Sequence, residues 1–295
     1  MKIALVLNPR IGAKKAKNLM KLAEKRLKEA NIRFNVFVTQ YHGHAAEIMK
    51  HISLAEYDGI VSVGGDGTNY HLLNGLLKYH HDTELPSLGI IPAGRGNSFA
   101  RDLEIFTEED GFAALCRGTT MAVDVCRFTQ GEDVYFFVNL MGLGFVTDVA
   151  QTAARFGWTG DLSYIIGVLY RTMNLKFHSL EMEIDGQNIS AKNCFVEICN
   201  SRFTGGKMLM APGAKIDDGL FDVVVLSPLS RTNLISTFPK IFKGTHGENP
   251  AVLFYQAKTV SIRTTPGKTL LPDGEIFGAT PTQVTILSGR VRYFS

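Results

Sequence analysis

The sequence predicts two unlike halves: a Rossmann-like α/β domain with a parallel sheet over 1–124, then a mainly antiparallel β-sandwich domain over 125–295. Three observations carry this reading. Strands and helices alternate through the first half, as in a parallel sheet with crossover helices. Two glycine-rich turns in that half each follow a separate strand. After about Asp124 the pattern changes to closely spaced strands with few helices, and the boundary is expected between Cys116 and Glu132.

In chain order, Lys2 to Leu7 reads as a strand closed by Asn8-Pro9 and a turn through Gly12. Ala13 to Ala30 is helical, with Leu19, Leu22, Ala23 and Leu27 on one face. Arg33 to Thr39 is a second strand and Ala45 to His51 a second helix. Ile60 to Val63 is a short buried strand, Gly64-Gly65-Asp66-Gly67-Thr68 a sharp turn, and Leu72, Leu73, Leu76 and Leu77 mark the helix that follows. The next strand, Ser87 to Ile91, leads into Pro92-Ala93-Gly94-Arg95-Gly96-Asn97-Ser98, with a helix expected to start on Asn97 or Ser98 as N-cap. In the second half, Val134–Leu140, Leu180–Ile184, Ile189–Lys192, Asn193–Asn200, Phe221–Ser227, Thr259–Thr264 and Thr282–Leu287 read as strands. Asp185-Gly186-Gln187-Asn188 reads as a hairpin turn, and Gly289 to Tyr293 as the return of a last hairpin. Helices are expected near Gly160–Met173 and Arg231–Lys243.

A chain of 295 residues, 45% hydrophobic and 20% charged, has the composition of an ordinary globular protein with a substantial core. A net charge of +3 gives no argument for nucleic acid. Cys116, Cys126, Cys194 and Cys199 show no CxxC pairing and read as thiols of a reducing compartment. The apolar start is too short for a signal peptide. Val134 to Val146 falls short of the ~20 residues that span a bilayer. The expected location is cytoplasmic.

Several stretches point to chemistry. A strand–glycine–helix unit aims backbone N–H groups outward at the positive end of a helix, an anion site. The same turn is also an ordinary way to join a strand to a helix. Asp66 within it would repel a phosphate unless a divalent cation lies between them or the carboxylate binds a hydroxyl, so the first reading is a metal–nucleotide site. Arg95 in the second turn is placed to reach a phosphate or to face solvent. Lys215-Ile216-Asp217-Asp218-Gly219-Leu220-Phe221-Asp222 suits a hard cation held by oxygen ligands, or simply turns the chain. Pro272-Asp273-Gly274-Glu275 is a tight turn presenting a Glu. Between Lys14 and Lys28 the first helix carries seven cations against Glu24, a face for anionic lipid or a solvated surface. His42, His44, His80 and His81 lack zinc-site spacing. Trp158 beside Phe156 suits either a lipid-facing opening or core packing.

These residues resemble the diacylglycerol kinase catalytic-domain family, which includes soluble bacterial lipid kinases and, more distantly, sphingosine and ceramide kinases. The matching pieces are Asn8-Pro9 with Gly12; Thr39 with Gly43-His44-Ala45; Gly64 to Thr68; Pro92, Gly94, Asn97, Phe99 and Ala100; Asp217 to Leu220; and Asp273-Gly274-Glu275. GGDGT alone is shared with NAD kinases, whereas the ordered set ending in DGE is specific to the lipid group. The resemblance implies ATP bound between the two domains and phosphoryl transfer to a lipid hydroxyl. It assigns Glu275 as general base and Asp66 as a catalytic partner. Asn8, Thr39, Gly64, Gly65, Asp66, Gly67, Thr68, Gly94, Arg95 and Asn97 would form the nucleotide site. Lys215 and Leu220 through their carbonyls, with Asp218, match a structural Mg²⁺ site, and Asp124 sits near where the family places an acid by the catalytic metal.

Three departures stand out. The family's Asn-Glu after GGDGT is Tyr70-His71 here, and if Thr68 caps the helix, His71 falls at the third helical position where a Glu would close a capping box. Arg95 replaces a small hydroxyl residue. Gly160-Asp161-Leu162-Ser163-Tyr164 is closer to the long-chain-base and ceramide kinases, which keeps sphingoid lipids open as substrates. The leading expectation is an ATP- and Mg²⁺-dependent lipid kinase. NAD kinase and a non-catalytic lipid- or nucleotide-binding regulator are the alternatives. A lipid substrate at a membrane surface is the expected partner, with peripheral contact through the Lys14–Lys28 helix, no nucleic acid, and homodimerisation left open.

Overall fold

The computed structural model describes residues 1–81, 83–155 and 162–295. The chain divides into one unit of 1–124 with 289–295 and a second of 125–288. Readings that rest on Phe156, Trp158 and the Gly160-Asp161 start of the last motif lie outside the described residues.

Unit 1 begins with β1 (Lys2–Leu7), α1 (Ala13–Glu29), β2 (Arg33–Val38), α2 (His44–His51), β3 (Gly59–Gly64), α3 (Asp66–Tyr79), β4 (Ser87–Pro92), α4 (Ser98–Asp102) and α5 (Glu108–Arg117). Its strands run parallel in the order β2-β1-β3-β4, and the returning segment 289–295 joins beside β4 through Tyr293 paired with Leu88. β1 and β3 are buried almost throughout, as strands covered on both faces must be. Gly75 sits where α2 crosses α3. A Cβ there would lie 2.6 Å from the Ala46 Cα, so only glycine permits this helix approach.

The registers decide where function can sit. Leu7 pairs with both Val38 and Val63, and Gly64 pairs with Pro92. The carboxyl ends of all four strands therefore share one edge, where ligands of such sheets bind.

β5 (Thr120–Gln130) carries the chain out of unit 1. Unit 2 continues through β6 (Asp133–Phe137), β7 (Leu140–Gly144), α6 (Phe145–Arg155), α7 (Leu162–Met173), β8 (His178–Ile184), β9 (Gln187–Asn193) and β10 (Phe195–Cys199). Then come the short β11 (Phe203–Thr204) and β12 (Met208–Leu209), β13 (Phe221–Leu226), α8 (Arg231–Thr237), a 3-10 helix Phe238–Lys243, β14 (Val252–Ala257), β15 (Thr259–Thr265), β16 (Thr269–Pro272), β17 (Phe277–Ala279) and β18 (Thr282–Phe294). One antiparallel sheet follows the order β14-β13-β10-β7-β16-β17. The other includes the antiparallel run β18-β15-β8-β9.

Between these sheets lies a core including Phe128, Phe137, Met141, Val196, Ile198 and Phe221. Because side chains alternate along a strand, Phe195 and Cys199 of β10 point to the other face, into a second core with Phe145, Val149, Val168, Val224 and Leu234. Unit 2 thus has two sheets and a helical layer. Asp185-Gly186 makes the two-residue turn between β8 and β9, with both residues at positive φ as a type I′ hairpin requires. The expected last hairpin is instead one continuous strand, β18, which passes straight through Gly289. No helix among the described residues is long and apolar enough to cross a membrane.

Candidate active site

In unit 1 the two glycine turns are in backbone contact. A Cβ on Gly94 would lie 2.4 Å from the Gly65 Cα, so the turns meet at a distance no side chain allows. The N–H groups of Ala93 and Gly94 donate to the Gly64 carbonyl at 2.8 and 3.0 Å. Asn97 holds the second turn from within: its Oδ1 accepts the Gly94 N–H at 3.0 Å and its Nδ2 donates to the Gly94 carbonyl at 2.9 Å.

Asn97 is therefore not the helix cap that its residue type suggests. It adopts the left-handed conformation and makes no side-chain bond into α4. The cap comes from Asp66, whose carboxylate accepts the Ser98 N–H at 3.0 Å and the Phe99 N–H at 3.3 Å. Burial raises the Asp66 pKa, opposed by these backbone donors. The carboxyl group that looked out of place beside a phosphate is thus committed to the backbone of the neighbouring turn. Asp66 acts as a clamp that fixes one turn against the other.

The other predicted residues of unit 1 are at the same edge. Asn8 donates from Nδ2 to the Thr68 hydroxyl at 3.1 Å, and its Oδ1 accepts the Arg10 N–H. The Thr39 N–H donates to the Leu7 carbonyl at 2.9 Å. Arg95 is exposed. Lys15, not singled out from the sequence, reaches the second turn: its Nζ donates to the Ala93 carbonyl at 3.0 Å and pairs with Glu108 at 2.8 Å. Only its place next to Gly12 could have marked it.

α3 starts at Asp66 with Gly65 as N-cap, so His71 is the sixth helical residue and stands well clear of any capping box. Its ring meets that of His42 edge to face, with centroids 4.6 Å apart. Burial and the adjacent His42 lower the His71 pKa to about 4, so it is neutral near pH 7. Asp124 is fully buried, and its Oδ1 accepts the Gly289 N–H at 2.6 Å. That bond secures the returning chain.

In unit 2 the turn Asp273-Gly274-Glu275 is built around Asp273. Its carboxylate accepts the N–H groups of Val138, Asn139 and Leu140 at 3.2, 2.9 and 3.2 Å, across the break between β6 and β7. Asp273 and Gly274 both have positive φ, and the Glu275 N–H closes the turn on the Pro272 carbonyl. Asp273 is the residue the sequence reading missed as a site-builder, and Glu275 is the half-buried side chain it presents.

The acidic turn offers oxygen donors only. Asp218 folds back to accept the Leu220 N–H at 3.1 Å, with Gly219 at positive φ. Burial pushes Asp222 up to about 6 against a hydrogen bond from Gln256, with the charge of Asp218 adding to the rise. The Asp218 and Asp222 carboxylates, together with the Lys215 and Leu220 carbonyls, offer the oxygen ligands that a hard cation takes.

Within the helical layer of unit 2 lies a small enclosed cavity of about 40 Å³. It is walled by apolar side chains including Phe145, Val146, Val168, Phe195, Leu226 and Leu234, with only Thr237 and His246 adding polar atoms. Glu197, on the same face of β10 as Phe195, is also buried, and burial pushes its pKa up to about 8.

Comparison with known proteins matches both units. A family model for the diacylglycerol kinase catalytic domain matches residues 2–128, and one for the YegS C-terminal NAD kinase beta sandwich-like domain matches residues 139–295. A diacylglycerol kinase of Mycobacterium tuberculosis is 31% identical over 293 residues, covering 96% of this chain and 92% of the relative. Sphingosine kinase 1 of Arabidopsis thaliana is 28% identical over 87% of this chain, which spans 63% of the plant enzyme. A crystal structure from Bacillus anthracis, described as a candidate diacylglycerol kinase, superposes with a TM-score of 0.84 at 25% identity, covering 99% of this chain and 96% of that one. An NAD kinase from Archaeoglobus fulgidus in complex with ATP shares the fold at a TM-score of 0.55 and 15% identity, covering 100% and 94%.

Proposed function

From the premise that this chain belongs to the diacylglycerol kinase catalytic-domain family, we propose that it is a lipid kinase moving the γ-phosphoryl group of ATP to the hydroxyl of a diacylglycerol-type lipid. The observation that carries the choice of acceptor is the apolar cavity in the helical layer of unit 2. A dinucleotide acceptor needs polar partners, and these walls supply almost none. At about 40 Å³ the cavity seats only a methylene or two, so a full acyl chain enters by displacing flexible lining residues such as Met208 and Met210.

Phosphoryl transfer asks for positioning and charge neutralisation more than covalent chemistry. The outward N–H groups at the start of α3 favour the phosphates, and the Asp66 clamp keeps the second turn in place beside them. Asn8 and Thr39 line the same edge. Glu275, held by the Asp273 anchor, takes the proton from the attacking hydroxyl. Mg²⁺, when bound, neutralises phosphate charge and stiffens the acidic turn. The Lys215 and Leu220 carbonyls and the Asp218 carboxylate would hold it in that turn.

The test is incubation of the purified protein with Mg-ATP and a panel of diacylglycerol, sphingosine, ceramide and NAD, with products identified by mass spectrometry. A phosphorylated diacylglycerol is expected. A phosphorylated sphingoid base would move the acceptor to that class, and phosphorylated NAD would refute the lipid reading. Glu275→Gln should lower kcat by ~10²–10⁴ as a lost general base does, with the KM for ATP little changed. Near-normal turnover would remove Glu275 from the mechanism.

A further inference from the structure

We propose that His42 and His71 of unit 1 form a two-imidazole site for a divalent transition metal such as Zn²⁺. The two rings meet edge to face with centroids 4.6 Å apart, and a ring nitrogen of one lies within 4.8 Å of a ring nitrogen of the other. Tetrahedral Zn²⁺ takes imidazole nitrogen at about 2.0–2.1 Å, which sets two such ligands roughly 3.4 Å apart. A small turn of the exposed His42 ring closes the difference, and water completes the coordination. The histidine spacing along the sequence gave no sign of this, because the partner of His42 comes from a different helix.

Helix packing brings the pair together. Gly75 lets α3 approach α2 at Ala46, and His71 and His42 each stand four residues before that contact. Positions four apart share a helix face, so His71 is on the side of α3 that meets α2. α2 begins at His44, which puts His42 in the turn leading into it, with Gly43 at positive φ. That turn is braced by its other residues. The Gln40 N–H donates to His44 Nδ1 at 3.0 Å, the Tyr41 ring stacks on His44, and the Tyr41 hydroxyl donates to Glu47. His71 in turn has the Tyr70 ring against it, with centroids 5.2 Å apart. Each imidazole is thus carried by an element that is already fixed, and preorganised ligands lose little freedom on binding.

The donor atoms select the metal. Imidazole nitrogen suits Zn²⁺, Ni²⁺ and Cu²⁺, whereas Mg²⁺ and Ca²⁺ take oxygen. The pair is therefore chemically distinct from the acidic turn of unit 2, which offers oxygen only. Neither histidine has a part in the proposed phosphoryl transfer, so the site does not rest on the lipid-kinase reading. A bound metal would tie the turn between β2 and α2 to α3 and so stabilise unit 1.

The test needs no turnover. The metal-stripped full chain is titrated with Zn²⁺ by calorimetry at about pH 7.5, where imidazole is neutral, in an excess of Mg²⁺ that fills oxygen sites. One equivalent should bind and should raise the thermal midpoint. His42→Ala and His71→Gln should each weaken binding by about tenfold or more, since one imidazole alone does not chelate. His51→Ala, which removes an exposed histidine at the end of α2, should change it less than about twofold. In NMR titrations the His42 and His71 imidazole signals should shift together over the first equivalent. Unaltered circular dichroism establishes that each variant is folded, and if the His71 variant does not fold, the exposed His42 decides alone. Equal binding by the wild type and His42→Ala overturns the proposal, as does competition by Mg²⁺ or the absence of a one-equivalent site. A shift of the His42 signal without that of His71 also overturns it, since the metal would then sit on a single surface histidine.

Discussion

Replacing Glu197 by Gln tests how the helical layer of unit 2 accommodates a carboxyl group. The side chain is 2% exposed in the middle of β10, and its Oε2 has no hydrogen-bond partner among the described residues. Burial raises its pKa from 4.5 to about 8. The unfolded chain ionises this group near 4.5, so between the two values the folded protein holds a proton that the unfolded chain has lost. A pKa raised by folding gives stability that is fully present below the unfolded value and lost as pH rises through the folded one. Each pH unit in between costs about 1.4 kcal/mol, so keeping the group neutral at pH 7 costs about 3 kcal/mol. His71 and His178, both lowered to about 4, change stability mainly below pH 6.5, and Asp222 mainly below about 6. From pH 6.5 to 8 Glu197 should therefore lower stability by roughly 1 to 2 kcal/mol, allowing for its partial ionisation near the upper limit. Gln keeps the shape and removes the titration. Urea unfolding followed by circular dichroism across this window should show the variant gaining on the wild type by that amount. A difference that does not change with pH would refute the argument.

Two substitutions test the carboxylate clamps. Asp66→Ala leaves two N–H groups at the start of α4 without their acceptor. It should cost about 2–4 kcal/mol, lower the thermal midpoint by several degrees and weaken ATP binding as the second turn loosens. An unchanged midpoint would mean that water replaces the carboxylate. Asp273→Ala removes the acceptor of three N–H groups and should lower kcat nearly as far as Glu275→Gln while leaving the KM for ATP in place. If kcat held while stability fell, the anchor would not be positioning Glu275.

The fold class was readable because its signals are local. In β3 and α3 a buried run, a glycine turn and leucines at helical spacing all lie within a few residues of one another, and local agreement of this kind specifies an element. The Asp185-Gly186 turn is local in the same sense. What escaped reading is long-range. Nothing near Asp66 says that its carboxylate will cap a helix 32 residues later, and nothing near Asp273 announces backbone partners more than 130 residues earlier. The last strand was misread for a related reason. Gly289 looked like a turn, but a glycine at positive φ can also sit in a continuous strand when pairing on each side of it is fixed by distant partners. His71 was misplaced because a Thr three residues earlier resembles a cap, while the helix had already begun at Asp66.

The clamps also explain why acidic residues beside glycines are ambiguous from sequence alone. A glycine turn leaves N–H groups outside any helix or strand ladder, and each needs an acceptor. A phosphate can supply one, but so can a nearby Asp, whose short side chain places a carboxylate on two or three amides with little entropy lost. Asp66, Asp124, Asp185 and Asp273 all accept backbone N–H groups in this way. The same composition therefore suits an anion site and an anion-filled clamp, and chain geometry decides between them. In the DGE turn both uses meet: the Asp is consumed in holding the backbone, and the Glu, one methylene longer and two residues on, is the carboxylate the turn presents. That division favours Glu275 over Asp66 as the group that handles a proton. It also predicts that exchanging Asp273 with Glu275 would fail at both positions, because Asp is too short to reach outward and Glu too long to sit on the three amides.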